Sequence, residues 1–384
     1  MSRDTAVRVG RYGRGRRQAR KTVSARLRRI VLVAAGVALL PAALSYGAAM
    51  LQTSNASFSI RSVEWLRDHG AAGLVASVES AYYELTAPAK GGPTLRSLPS
   101  VGYAAGVPPA PGELRPRRVA SLIRPALPGE GVWHATRTAL SGEPPLLVTT
   151  LRDQPEYPRV VAGLAWINTA NTRLTLNPGR LEPAVELPRG AMDVPAHARK
   201  KLLATFNSGF KLSDSHGGFA VNGRTYAPFA DGQGTLVGYY GGRVDVIDWQ
   251  GGARIPPGVE FARQNLPLIV SEGRPSPQIG DTALWGATVG NAVLVWRSAI
   301  GVTASGNLIY AAGGDQTVSS LARVLIRAGA VRAMELDINS YWVSFMSYGA
   351  PGAENPTKLL EGMERPATRY LEPDDRDFFA LYSR

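Results

Sequence analysis

Glu335 and Asp337 stand two residues apart in Ala333-Met334-Glu335-Leu336-Asp337-Ile338-Asn339-Ser340. On a strand, alternate side chains share a face, so Glu335, Asp337 and Asn339 are expected to project together while Met334, Leu336 and Ile338 enter the core. Carboxyls this close perturb one another, and one can stay protonated while the other ionises, the arrangement general acid and base work requires. On periodicity alone a solvated strand face is the favoured reading. Asn207, in Thr205-Phe206-Asn207-Ser208-Gly209-Phe210, can donate and accept hydrogen bonds, which suits hydroxyls or a phosphate oxygen, with Ser208 and Gly209 beside it. Its structural alternative is a local Asn turn. Gly314, Asp315 and Thr317 lead into a helix whose free N–H groups can hold an anion, although Asp315 also reads as an ordinary cap.

Other chemistries find little support. Of the four histidines only His216, in Asp214-Ser215-His216-Gly217-Gly218, lies in a polar loop near Asn207, and no spaced ligand set completes a metal site around it. No G-x-S-x-G, P-loop or zinc-helix pattern occurs, and the chain has no cysteine. No cofactor or metal site is expected, with a divalent ion left open.

The elements that must position these residues are mostly short β-runs punctuated by glycine and proline. Strands are expected over 146–151, 160–167, 202–206, 266–270, 292–296, 307–311 and 331–338. Asn222-Gly223 between 219–221 and 224–226 marks a type I′ hairpin, and Gly241-Gly242 a second one between 236–240 and 244–249. Val318, Leu321, Ala322, Leu325 and Ile326 follow helical spacing, capped by Asp315 or Thr317 and ended by Gly329. The fold class expected is α+β, a mostly antiparallel sheet domain with a few packed helices, over 129–384.

Upstream of it, residues 1–29 carry 11 Lys or Arg against Asp4 alone, so +10 of the net +13 sits in the tail and the rest is nearly neutral. That distribution excludes a nucleic-acid groove and matches a cytoplasmic flank. The uncharged residues 30–51 suit a signal-anchor helix; the alternative is a cleaved signal peptide ending at Gly47-Ala48-Ala49 or Ser54-Asn55-Ala56. A juxtamembrane helix is expected over 57–85, and a proline-rich linker over 86–128, where nine of the 28 prolines lie. The expected location is the cell membrane, single-pass, with the C-terminal domain outside the cytoplasm.

Taken in order, Phe206-Asn207-Ser208-Gly209-Phe210, the hairpins, Leu266-Pro267-Leu268-Ile269-Val270-Ser271-Glu272-Gly273 and the helix leading into Glu335-Leu336-Asp337 resemble the phosphodiester glycosidase family, over roughly 200–350. The resemblance implies a hydrolase that releases a sugar from a phosphodiester, here in the cell envelope, with Asn207 and Asp337 as matching positions and a carbohydrate or sugar-phosphate partner. The family's Asn-Gly-Gly-Phe-Phe is replaced by Asn207-Ser208-Gly209-Phe210-Lys211, and the glycine run after its aspartate by Ile338-Asn339-Ser340-Tyr341-Trp342. A non-catalytic domain of that fold, binding glycan or protein through Tyr341, Trp342 and Tyr348, is the competing expectation.

Overall fold

The computed structural model describes residues 12–99, 116–137, 143–286 and 294–384, with backbone only for 12–25, 80 and 282. Parts of the expected basic tail and linker, including Pro108-Pro109-Ala110-Pro111, and the first residues of the expected strand 292–296 lie outside these.

The chain divides into two units at Ala72. In the first, helix α1 (Tyr12–Leu51) contains the stretch Arg26–Leu51, of mean hydropathy 2.0, long and apolar enough to cross a membrane. After a short turn, α2 (Phe58–Leu66) folds back along the end of α1: Trp65 donates its indole N–H to Ser45, meets Tyr46 edge-on and stacks on His69 at 4.3 Å. Arg61 donates to the carbonyls of Ala49 and Gln52, which the helix end leaves without partners. The expected continuous helix over 57–85 is broken. Gly70 at φ +87° ends one segment, and α3 (Ala72–Thr86), which belongs to the second unit from Gly73 on, follows as another.

The second unit, from Gly73 onward, is built on three antiparallel sheets. The first has the order β1 (His134–Ala135), β2 (Leu146–Leu151), β3 (Ala162–Ile167), β14 (Leu308–Gln316), β13 (Val295–Thr303), β15 (Ala330–Glu335), β11 (Leu268–Ser271), β12 (Arg274–Pro275). The second has β7 (Arg224–Ala227), β6 (Phe219–Val221), β10 (Val259–Gln264), β8 (Gly234–Tyr239), β9 (Val244–Asp248). The third has β17 (Glu354–Lys358), β16 (Phe345–Ala350), β5 (Leu202–Asn207), β18 (Phe378–Ser383), β4 (Thr172–Asn177). Among its helical elements are a single turn, α4 (Leu212–Ser215), and the helix α5 (Val318–Arg327).

The eight-stranded sheet is buried on both faces. Along β2, Leu146 and Val148 enter the core shared with the other two sheets, while Leu147 and Leu151 enter a second core against Val318, Leu321 and Leu325 of α5. In the shared core Phe206 meets Phe345, Phe379 and Tyr310 at centroid distances of 5.8, 5.2 and 5.4 Å. Within the second sheet, Gly238 faces Phe261 across the ladder, and a β-carbon there would sit 2.1 Å from the ring. Gly238→Ala is therefore expected to lower stability by about 1–3 kcal/mol, read from denaturant midpoints.

The α+β reading and both hairpins hold: Asn222 and Gly223 take φ of +53° and +71°, and Gly241 and Gly242 are likewise positive. α5 is capped at Thr317 by a reciprocal pair with Ser320, and Gly329 follows its end at φ +102°. Within the expected linker, Val119 is fully buried in the second core and Thr94 accepts from Arg152, so those stretches belong to the folded unit rather than to a free spacer.

Candidate functional site

The strand carrying the two carboxyls stops at Glu335, short of the expected Ile338. The next two amides part company: Leu336 N–H donates to Ser298 on β13, and Asp337 N–H to Ser208 just past β5, so the chain steps from the first sheet to the third. Alternation ends there. Glu335 and Asp337 do not share an open strand face, and the side of the sheet Glu335 points to is already covered.

Glu335 is fully buried, with Oε1 accepting from Arg297 Nη1 at 2.6 Å. Arg297 also donates to the carbonyls of Gln316 and Trp285, tying together the ends of β14 and β15 and the loop before residue 287. Burial pushes the Glu335 carboxyl up to about 7, against the pull of Arg297. The expected role of Glu335 as acid or base is corrected: a carboxyl sealed in this ion pair meets no substrate.

Asp337 keeps a small opening, 6% exposed. Its Oδ2 accepts from Arg376 Nη2 at 2.8 Å and its Oδ1 from Asn339 N–H at 3.0 Å, while Asn339 Oδ1 accepts from Tyr341 N–H. Burial raises its carboxyl above the usual aspartate range, with Arg376 opposing. Arg376 also donates to the carbonyl of Gly209 at 3.3 Å.

Asn207 is present at the site without being available to a ligand. Its amide donates to Ser208 O and Ser298 Oγ, and its oxygen accepts from Tyr310 and from Ser344 N–H, so all four of its hydrogen bonds are taken. Ser298 in turn donates to the Asp337 carbonyl at 2.7 Å. The expected gripping role is thus replaced by a positioning one, relayed through Ser298. Ser208 Oγ is buried with no partner, and register places it beside Asp377, whose Oδ1 is equally unpartnered while Oδ2 accepts from Arg263 at 2.8 Å.

Gly314, Asp315 and Thr317 stand apart, at the end of β14, one strand beyond β13. Thr317 is consumed by its cap with Ser320, Asp315 takes φ +54° and gives its carbonyl to Gln154, and Gly314 lies against the Trp296 indole. The helix start is closed by its own side chains rather than held open for an anion. Close by, Asp153 is buried with Oδ2 unpartnered and Oδ1 accepting from Gln316, and burial lifts its carboxyl to about 7. The folded state then holds the proton more tightly than the unfolded chain, so this group's contribution is present below the unfolded value and is lost as pH rises through about 7. Asp153→Asn is expected to raise stability more at pH 8 than at pH 5, by about 2–3 kcal/mol, measured by denaturant titration at both pH values.

The structure supplies what the sequence reading missed, a set of arginines around Trp342. The guanidinium carbons of Arg365, Arg369 and Arg376 lie 5.6, 5.1 and 5.2 Å from its ring centroid. Arg369 grips Asp374 through two bonds of 2.8 and 3.0 Å and donates to Trp342 O and Ser344 Oγ. Burial alone would raise Asp374, but Arg369 and Arg365 hold it below the usual range. The segment from Arg365 to Asp377 packs three arginines and four acids into an otherwise nearly neutral domain, the one sequence signal that could have found them.

The site therefore gathers Asp337, Asn339, Ser208, Gly209 and the arginines where the ends of β5, β10 and β15 meet the start of β18. Among the described residues no group of three metal-ligating side chains exists. An open cavity of about 1260 Å³ lies elsewhere, lined by residues such as Arg173, His197, Lys200 and Tyr240 and by none of the site residues.

The sequence matches no protein-family model and no curated protein. Among solved structures it is similar to the zebrafish N-acetylglucosamine-1-phosphodiester alpha-N-acetylglucosaminidase catalytic domain auto-inhibited by its pro-peptide, with TM-score 0.41 and 15% identity over 65% of this chain and 86% of that one. It is also similar to a hypothetical protein from Synechocystis (TM-score 0.38, 13% identity, 63% of each chain). A third is a protein described as exported from Burkholderia pseudomallei (TM-score 0.36, 13% identity, 60% of this chain and 75% of that one).

Proposed function

We propose that this chain is a membrane-tethered hydrolase of glycosyl phosphodiesters in the cell envelope, anchored by residues 30–51 with its N-terminus in the cytoplasm and its sheet domain outside. The observation that carries the reading is the Asp337–Arg376 pair at 2.8 Å, a carboxyl of raised basicity joined to a cation that can bind phosphate.

On this reading a phosphodiester monoanion draws Arg376 partly from Asp337, and the freed carboxylate accepts a proton from water as its oxygen bonds to the sugar anomeric carbon. The bond from that carbon to the phosphate oxygen breaks, leaving free sugar and a phosphomonoester dianion, with the proton on Asp337. Phosphate is a good leaving group, so stabilising the developing positive sugar centre outweighs acid assistance. Asp337 serves as the base, Arg376 binds the phosphate, Asn339 and Ser208 offer polar contacts, and Glu335 and Asn207 position the strand ends.

The test is turnover by the full chain in detergent micelles on a panel of synthetic hexosyl and N-acetylhexosaminyl methyl phosphodiesters, following reducing sugar and methyl phosphate together. Equal release of both is expected from at least one member. Binding across the panel without release would favour a glycan-binding domain instead.

A further inference from the structure

The open cavity of about 1260 Å³ takes no part in the site around Asp337. One of its walls is the β4 edge of the third sheet, from Arg173 to Asn177, continued by residues between 188 and 201. The other carries the tips of both hairpins, at Asn222 and at Tyr240-Gly241-Gly242. Arg384 ties the walls together, donating to the carbonyls of Thr172 and Gly242. Charge in this groove is one-sided. Its acids are engaged, Glu260 with Arg173 at 2.7 Å and Asp193 with Arg199 at 3.6 Å. Arg189, Lys200 and Lys201 also line it, and among the described residues no carboxylate lies within ion-pair reach of them. Both lysines are exposed, so their ammonium groups are open to whatever enters. A concave surface with surplus cations draws anions.

Among the described residues Tyr240 is the groove's single exposed large hydrophobic side chain, 59% open. A partner protein is gripped through a cluster of apolar anchors, which this lining does not offer. A lone exposed ring with a polar rim instead suits the C–H face of a sugar, with the Asn222 amide at hand for hydroxyls. The volume exceeds the ~300–1,000 Å³ of a pocket for one small molecule, which leaves room for several sugar units. We infer that this groove holds a segment of anionic glycan, with Lys200 and Lys201 against its anionic groups and Tyr240 against a ring. Nothing in this arrangement depends on cleavage at Asp337.

Hydrogen exchange read by mass spectrometry locates the ligand, which matters because the basic tail of the full chain also attracts polyanions. In uncharged detergent, hexagalacturonate is expected to slow exchange in residues 188–201 and 239–243. Its midpoint is expected to lie at least about tenfold below that of the same oligomer with its carboxyls reduced to alcohols. The double substitution Lys200→Gln and Lys201→Gln, which alters only exposed side chains, should raise the midpoint about tenfold, and Tyr240→Ser about threefold. Inorganic polyphosphate of equal charge has no ring to lie on Tyr240, and is expected to protect the groove only at a concentration several-fold higher. Equal midpoints for the charged and the reduced oligomer would leave no part for the lysines, and equal midpoints for polyphosphate no part for the sugar. Either result would overturn the inference. So would the absence of protection in the groove, or protection that the double substitution leaves unchanged.

Discussion

Asp337→Asn in the full chain is expected to reduce the proposed glycosyl phosphodiester hydrolysis by about a thousandfold, the loss that follows when a general base is removed and its surroundings kept. An asparagine oxygen can still accept from Asn339 N–H, so the turn that presents it survives. The deficit therefore falls on kcat, with ligand binding retained. In wild type the acid limb of the rate profile lies above the ordinary aspartate value of 3.8, because burial raises the Asp337 carboxyl and activity is lost as pH falls through its folded value. Kinetics of both proteins from pH 4 to 8 check this. An Asp337→Asn protein that retains wild-type kcat removes Asp337 from the reaction.

The second large effect is on stability. Arg369→Met deletes four hydrogen bonds and takes from the fully buried Asp374 its two-armed ion pair, while the bond from Arg376 N–H and the long contact to Arg365 stay. Breaking a buried pair from one side costs about 3–5 kcal/mol, a large share of a domain's stability. The pH dependence separates this from a packing loss. In wild type the Asp374 carboxyl is held below its usual value, so its contribution is present above 3.8 and is lost as pH falls through the folded value. Without Arg369 the largest pull against burial is gone and the carboxyl rises, with Arg365 and the Arg376 N–H still opposing, so the variant loses less stability than wild type as pH falls. The difference between the proteins should shrink in acid, as read from denaturant midpoints at pH 4 and 7. A constant difference would assign the loss to packing.

What the sequence made legible was local. Asn222-Gly223 fixes a hairpin through two positive φ angles, Thr317 caps α5 within three residues, and the apolar spacing of α5 marks the face that covers the sheet. The anchor stretch is equally local, a matter of composition. Glu335 was placed on the right strand, but the alternation rule assumes a continuing ladder, and β15 ends before Asp337, whose N–H turns to Ser208. The arginines were illegible for a different reason. Arg376 reaches back 39 residues to Asp337, Arg297 forward 38 to Glu335, and Arg263 forward 114 to Asp377, pairings that depend on how three sheets come together. Asn207 drew notice by its residue type, while its full set of partners, from Ser208 to Ser344, emerges only in three dimensions.

With Asp337 as base and Arg376 on the phosphate, water is expected to attack the sugar carbon rather than phosphorus. Hydrolysis in water enriched in heavy oxygen, with the released phosphomonoester examined by mass spectrometry, reads the bond that breaks. A phosphomonoester of unshifted mass is expected, the label having entered the sugar. Heavy oxygen in the phosphate would show cleavage between phosphorus and oxygen and would contradict the proposed attack.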